Sequence, residues 1–228
     1  MIISASRRTD IPSYYSEWFW ARINEGFVLV RNPRNHHRMT KINLSPDVVD
    51  GIVFWTKNPI PMLARLRELE DYMYYFQFTI TPYGNDIESG LPPKADLISA
   101  LGKLSDTIGA DRVIWRYDPI LINERYSPEY HIRAFDDMAR KLHRFTRKVT
   151  ISFIDEDYRG VKRNIKELAL RNFSADDKIA LAHKLVKIAS DYELIMESCA
   201  EKLDLRAAGI KPARCIDPGF WQSCLGAA

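Results

Sequence analysis

Short runs rich in β-branched and aromatic residues alternate along the chain with longer segments whose apolar positions recur every three or four residues. This is the order expected of βα units around a parallel sheet. The runs predict strands over Ile2–Ser4, Phe27–Arg31, Gly51–Trp55, Tyr74–Ile80, Arg112–Tyr117, Lys148–Phe153 and Leu194–Glu197. The longer segments predict helices over Tyr14–Asn24, Pro59–Glu70, Lys94–Ile108, Pro128–Phe145, Tyr158–Leu170 and Ala175–Asp191. Phe27–Arg31 is expected to pair with Arg38–Leu44 across the turn at Asn32–His37, which makes a hairpin in place of a crossover. Ser174 followed by Asp177 has the spacing of an N-cap and its N3 acid, and Pro59, Pro93 and Pro128 stand where a helix start tolerates a missing N–H. Trp18, Phe19 and Trp20 read as a helix packing face that extends to a rim. The pattern implies an α/β fold, a TIM-like or partial (β/α) barrel of parallel strands.

Composition bounds this reading. With 228 residues, 46% hydrophobic and 28% charged, the chain is expected to form one domain over 1–228, with 198–228 an irregular, cysteine-containing tail. The net charge of +3 is too small to be a nucleic-acid signature by itself. No apolar run approaches the ~18 residues of a membrane span, and the start Met1–Ser4 leads into Arg7, Arg8 and Asp10, unlike a signal peptide. A cytoplasmic protein without membrane contact is the expectation. Cys199, Cys215 and Cys224, an odd number near the end of the chain, suit free thiols or ligands better than a disulfide framework.

Ligands of parallel α/β folds meet the carboxyl ends of the strands, and here those ends are polar. They carry Arg7, Arg8 and Asp10 after the first strand, Lys57 and Asn58 after the third, and Thr79 and Thr81 after the fourth. Arg116 and Asp118 follow on the next, then Asp155, and last Glu197, Cys199 and Glu201. Converging on one mouth, these groups form a candidate site with Lys57, Asp118 and Glu197 as catalytic groups. Arg7, Arg8, Asp10, Asn58, Thr79, Thr81, Arg116, Asp155 and Glu201 would hold substrate or cofactor. Arg7, Arg8 and Asp10 also read as a surface ion-pair cluster, Lys57 as a surface lysine, and Arg116 with Asp118 as a mutual pair. The basic loop holding Arg34, His36, His37 and Arg38 reads either as a solvated face or as a phosphate-binding segment. His36 and His37 lack the i, i+4 spacing of a zinc motif, and His143 and His183 read as surface or packing residues. The absence of GxGxxG, GxxxxGKS and GxSxG patterns removes simple dehydrogenase, P-loop and α/β-hydrolase readings.

The strings SASRRTDIP, FWTKNP, FQFTITPYG, VIWRYDPI and ESCAEKLDL, in this order, closely resemble the bacterial family known as domain of unknown function 1848. That family is similar to radical S-adenosylmethionine enzymes, because its C-terminal cysteine cluster resembles their iron–sulfur loop. The resemblance covers nearly the whole chain and implies a partial (β/α) barrel, a [4Fe–4S] cluster and S-adenosylmethionine. Cys199 and Cys215 match family cysteines and are implied as cluster ligands; Cys224 has no counterpart, and the family's cysteine-rich extension is expected beyond Ala228. The implied enzyme acts on a small-molecule or nucleic-acid-linked substrate. Two other readings stay open: a non-radical barrel enzyme, either a Schiff-base lyase on Lys57 or a metal-dependent hydrolase, and a nucleic-acid or anion-binding module.

Overall fold

A computed structural model describes residues 1–217 apart from 7, 33, 36, 156–160 and 162–166. In chain order the elements are β1 (Ile2–Ala5), α1 (Ile11–Tyr14), α2 (Ser16–Glu25), β2 (Phe27–Arg31), β3 (Met39–Asn43), β4 (Gly51–Thr56), α3 (Ile60–Leu63) and β5 (Tyr74–Thr79). They continue as α4 (Lys94–Ile108), β6 (Val113–Ile120), α5 (Pro128–Leu142), β7 (Lys148–Phe153), α6 (Ala175–Asp191), β8 (Ile195–Ser198) and β9 (Lys211–Pro212). The helix expected over 158–170 falls largely outside the described residues. The one expected at Tyr14–Asn24 is split at Tyr15 into α1 and α2, and the Asp10 carboxylate caps α1 by accepting from Ser13 N at 3.0 Å.

Seven strands lie parallel in the order β1-β4-β5-β6-β7-β8-β9. The expected α/β fold of parallel strands is present, but of the TIM-like and partial barrels expected the TIM-like form is not, since the sheet is open with β1 and β9 at its edges. Two local features account for this. The chain between β1 and β4 forms the antiparallel β2–β3 hairpin, so it adds no strand to the sheet. At the far edge β9 is two residues long and ends in Pro212, which has no N–H to extend the ladder.

Period-two alternation divides the sheet into two unlike faces. Phe54, Phe76, Trp115, Tyr117 and Ile151 point toward the helices and form the main core, where Trp115 stacks on Phe135 of α5 with centroids 5.1 Å apart. The amphipathic helices meet this face through positions such as Leu97, Leu101 and Leu104 of α4 and Leu181 and Leu185 of α6. Ser174 and Asp177 close a full capping box at the start of α6. The residues in between, including Trp55, Gln77, Arg116, Thr150 and Glu197, line the opposite face.

The loop after β6 is fastened to the core by polar groups. The Tyr83 hydroxyl donates to Pro119 O at 2.7 Å and accepts from Leu121 N at 2.9 Å. His131 donates from Nε2 to Leu121 O at 3.0 Å, so its Nδ1 accepts the Tyr117 hydroxyl at 2.8 Å. Burial, only partly offset by the Leu121 hydrogen bond, pushes the imidazole pKa down from 6.5 to about 4. The unfolded chain therefore binds this proton at a pH where the folded protein does not, so stability falls as pH drops from about 6.5 to about 4, by about 3 kcal/mol in total. Urea unfolding across this window should show the loss in the parent chain and a smaller pH slope in His131→Gln.

Candidate active site at the strand ends

The in-register pairs Thr79–Arg116, Arg116–Thr150 and Thr150–Glu197 set a row of polar side chains across four neighbouring strands on the face away from the main core. Arg116 is the centre of this row. Its Nε donates to Asp118 Oδ1 at 3.0 Å, its Nη2 to Asp118 Oδ2, and its Nη1 to Gln77 Oε1, so both ends of the guanidinium are held. Both partners of the ion pair have side chains only 11% exposed. Burial works against the guanidinium charge, but Asp118 and the adjacent Cys199 thiol hold its pKa above the ordinary arginine range.

The C-terminal segment supplies the rest of this centre. After β9 the chain turns across the polar face: Ala213 N donates to Ser198 O at 2.6 Å, and Gln77 Nε2 donates to Cys215 O at 2.9 Å. Ile216 packs on the small apolar cluster of Val53, Tyr75 and Ile114, and Asp217 N donates to the Tyr75 hydroxyl at 3.3 Å. Lys148 bridges Asp217 (3.1 Å) and Glu197 (3.2 Å). Partial burial opposes the ammonium charge, and the two carboxylates overcome it, holding the Lys148 pKa above its usual value. The result of this crossing is that Cys199, buried, and Cys215, exposed, bring their sulfurs to 3.8 Å beside Arg116 although they are 16 residues apart in sequence.

The other expected residues fall into separate groups. Lys57 pairs with Glu88, which also accepts from Lys94 Nζ and Thr81 Oγ1, each at 2.6 Å. Burial raises the Glu88 pKa, but the two ammonium groups and the hydroxyl prevail and hold it below the usual carboxylate range. Asp10 joins this group by accepting from Lys57 N at 2.7 Å, and Asn58 turns the chain into α3 by accepting from Ile60 N at 3.2 Å. At the other end of the sheet, Asp155 pairs with Lys202 at 3.6 Å, and Glu201 accepts from Phe153 N at 3.0 Å beside a cleft of about 430 Å³. Arg8 is exposed, while Arg7 and Cys224 lie outside the described residues.

Among the described residues these groups are partnered in three clusters, one around Lys57 and Glu88 after β4, one around Arg116 on the central strands, and one of Asp155 and Glu201 beyond β7 and β8. Gln77, Lys148 and Asp217 of the central network, and Glu88 and Lys94 beside Lys57, went unnoticed in the sequence. Gln77 interrupts an apolar strand, which is the one signal for it, whereas Lys148 opens its strand and Glu88 sits in a loop with no periodicity. Among the described residues, no group of three or more His, Cys, Asp or Glu side chains is arranged to hold a metal ion.

An open parallel α/β sheet with a thiol pair and a buried guanidinium at its strand ends is the class that fold and site define. Within that class, the model of the family described as a domain of unknown function (DUF1848) matches residues 2–228, and the chain belongs to that family. No curated protein and no solved structure matches the chain.

The buried pair makes a thermodynamic prediction. Arg116→Ala leaves the Asp118 carboxylate buried without its partner and should cost about 3 kcal/mol in urea unfolding. Adding Asp118→Ala should recover part of that loss, giving a coupling of at least about 1 kcal/mol in a double-mutant cycle.

Proposed function

We propose that this protein is a radical S-adenosylmethionine-like enzyme in which Cys199 and Cys215 are two of the thiolates holding an iron–sulfur cluster at the strand ends. The observation that carries this reading is that two cysteines 16 residues apart in sequence meet beside Arg116 at the carboxyl end of a parallel sheet. The donor chemistry fits, since soft thiolates are what iron–sulfur clusters take. A cluster with one open iron takes a third thiolate, and Cys224, the remaining cysteine, is the candidate within this chain. When bound, a cluster of this kind supplies the electron that cleaves S-adenosylmethionine reductively to a deoxyadenosyl radical.

The chain's own residues then bind and position. Arg116, already oriented by Asp118 and Gln77, offers a fixed cation to a carboxylate of cofactor or substrate. Lys148 and Tyr75 anchor the segment that brings Cys215 over the sheet. Thr150, beside Arg116 in register, adds a hydroxyl to the same face. The Lys57–Glu88–Lys94 group lies two strands from Arg116 along the row of strand ends and serves as a second, cationic contact for an anionic substrate of small-molecule or nucleic-acid-linked type.

The 3.8 Å spacing itself favours a second reading, because two thiolates about 2.3 Å from one tetrahedral ion lie about 3.8 Å apart. On that reading the pair shares a single thiophilic ion such as zinc. Anaerobic reconstitution with iron and sulfide, followed by electron paramagnetic resonance of the reduced protein, separates the two. The expected result is a [4Fe–4S] signal that S-adenosylmethionine perturbs and that Cys199→Ser or Cys215→Ser abolishes. Stoichiometric zinc bound by the same cysteines, with no cluster signal, would establish the single-ion site.

A further inference from the structure

We propose that the groove between the β2–β3 hairpin, α2 and the edge strand β1 binds single-stranded nucleic acid, its bases against exposed aromatic rings and its phosphates along the hairpin cations. The groove holds about 480 Å³ and is lined by Tyr15 and Trp18 on one side and by Val28 and Val30 of β2 on the other, with Arg8 and Arg31 at its rim. Trp18 is 46% and Tyr15 50% exposed, whereas the neighbouring Phe19 and Trp20 are buried in the core. Large aromatic side chains left half in water beside a concavity are the platform on which bases stack.

The hairpin supplies the charge. No acidic residue occurs between positions 26 and 46, while Arg31, Arg34, Arg38 and Lys41 are all exposed. The nearest helix acids are already matched, Glu25 by Arg22 and Glu17 by Arg65. Cross-strand pairing sets Leu29 opposite Lys41 and Arg31 opposite Met39 on the face away from Val28 and Val30, so of the strand cations Arg31 is the one that reaches the groove, with Arg34 and Arg38 in the adjoining turn. On that outer face Lys41 lies over the Phe27 ring at 4.2 Å. An anionic membrane surface shares this charge chemistry, but a hairpin that inserts into lipid carries its apolar residues at the tip. Here the turn between the strands has Asn32, Arg34, Asn35, His37 and Arg38, and the apolar residues lie along the strands. None of the groups that position Cys199 and Cys215 is needed for this binding, so it stands apart from the cluster reading.

The test is fluorescence anisotropy of a labelled oligothymidylate of about 16 nucleotides with the full chain, titrated at several salt concentrations. Saturable binding at low salt is expected, with the logarithm of the binding constant falling linearly as log salt rises. The combined change Arg31→Ala, Arg34→Ala and Arg38→Ala should reduce that salt slope by about 2, at about 0.7 for each phosphate no longer neutralised. Trp18→Ala should weaken binding about tenfold with the slope unchanged, and Trp18→Phe should restore most of it. Circular dichroism melts confirm that each variant is folded. The proposal is overturned by absence of saturable binding at low salt, by binding that is indifferent to Trp18→Ala, or by preference for phosphatidylserine vesicles over the oligonucleotide.

Discussion

Strand β6 sets the constraint on which the rest of the molecule depends. Its alternate residues serve two incompatible environments: Trp115 and Tyr117 fill the core under the helices, while Arg116 and Asp118 occupy the other face. A guanidinium in the middle of a parallel sheet is costly to desolvate, and that cost is tolerable only because a carboxylate two residues on lies on the same face of the strand. The Gln77 amide, from the neighbouring strand β5, then orients the far side of the cation and passes a hydrogen bond on to Cys215 O. The buried charge thus fixes more than its own position, since it draws strand and C-terminal segment into one network.

The C-terminal segment completes that network. Over a few residues it turns from β9, adds a backbone contact at Gln77, packs Ile216 on an apolar cluster and places Asp217 beside Lys148. Through this path two cysteines distant in sequence become neighbours next to the only described guanidinium that is buried within the sheet. Elsewhere along the strand ends the same physical rule holds on a smaller scale. Glu88, nearly enclosed, is met by two lysines and a threonine, and Glu201 by a backbone amide. Each buried anion is satisfied locally, so the strand ends form a line of distinct polar centres.

The open form of the sheet makes two further surfaces available. Its β1 edge stands beside a hairpin that takes no part in the parallel ladder, and the space between them is a groove with aromatic and cationic walls. At the β7–β8 end the strands lead to a separate cleft beside α6. A closed barrel has neither edge, and its eight strand ends would face one another around a single mouth.

Much of this was legible in the chain itself. The stretches Lys94–Ile108 and Ala175–Asp191 show helical period, the runs at 27–31 and 148–153 show strand composition, and Ser174 with Asp177 announces a capping box. These features depend on neighbours two to four residues away, and such distances are written directly in sequence. The pairing of Arg116 with Asp118 belongs to the same group, because alternation alone puts positions i and i+2 on one face. Only the tertiary structure decided that the sheet stays open, that Lys57 meets Glu88 and Lys94, and that Cys215 returns to Cys199. Those outcomes rest on strand order, register and the path of a loop, which couple residues tens of positions apart through the packing of the whole sheet; no local pattern records them.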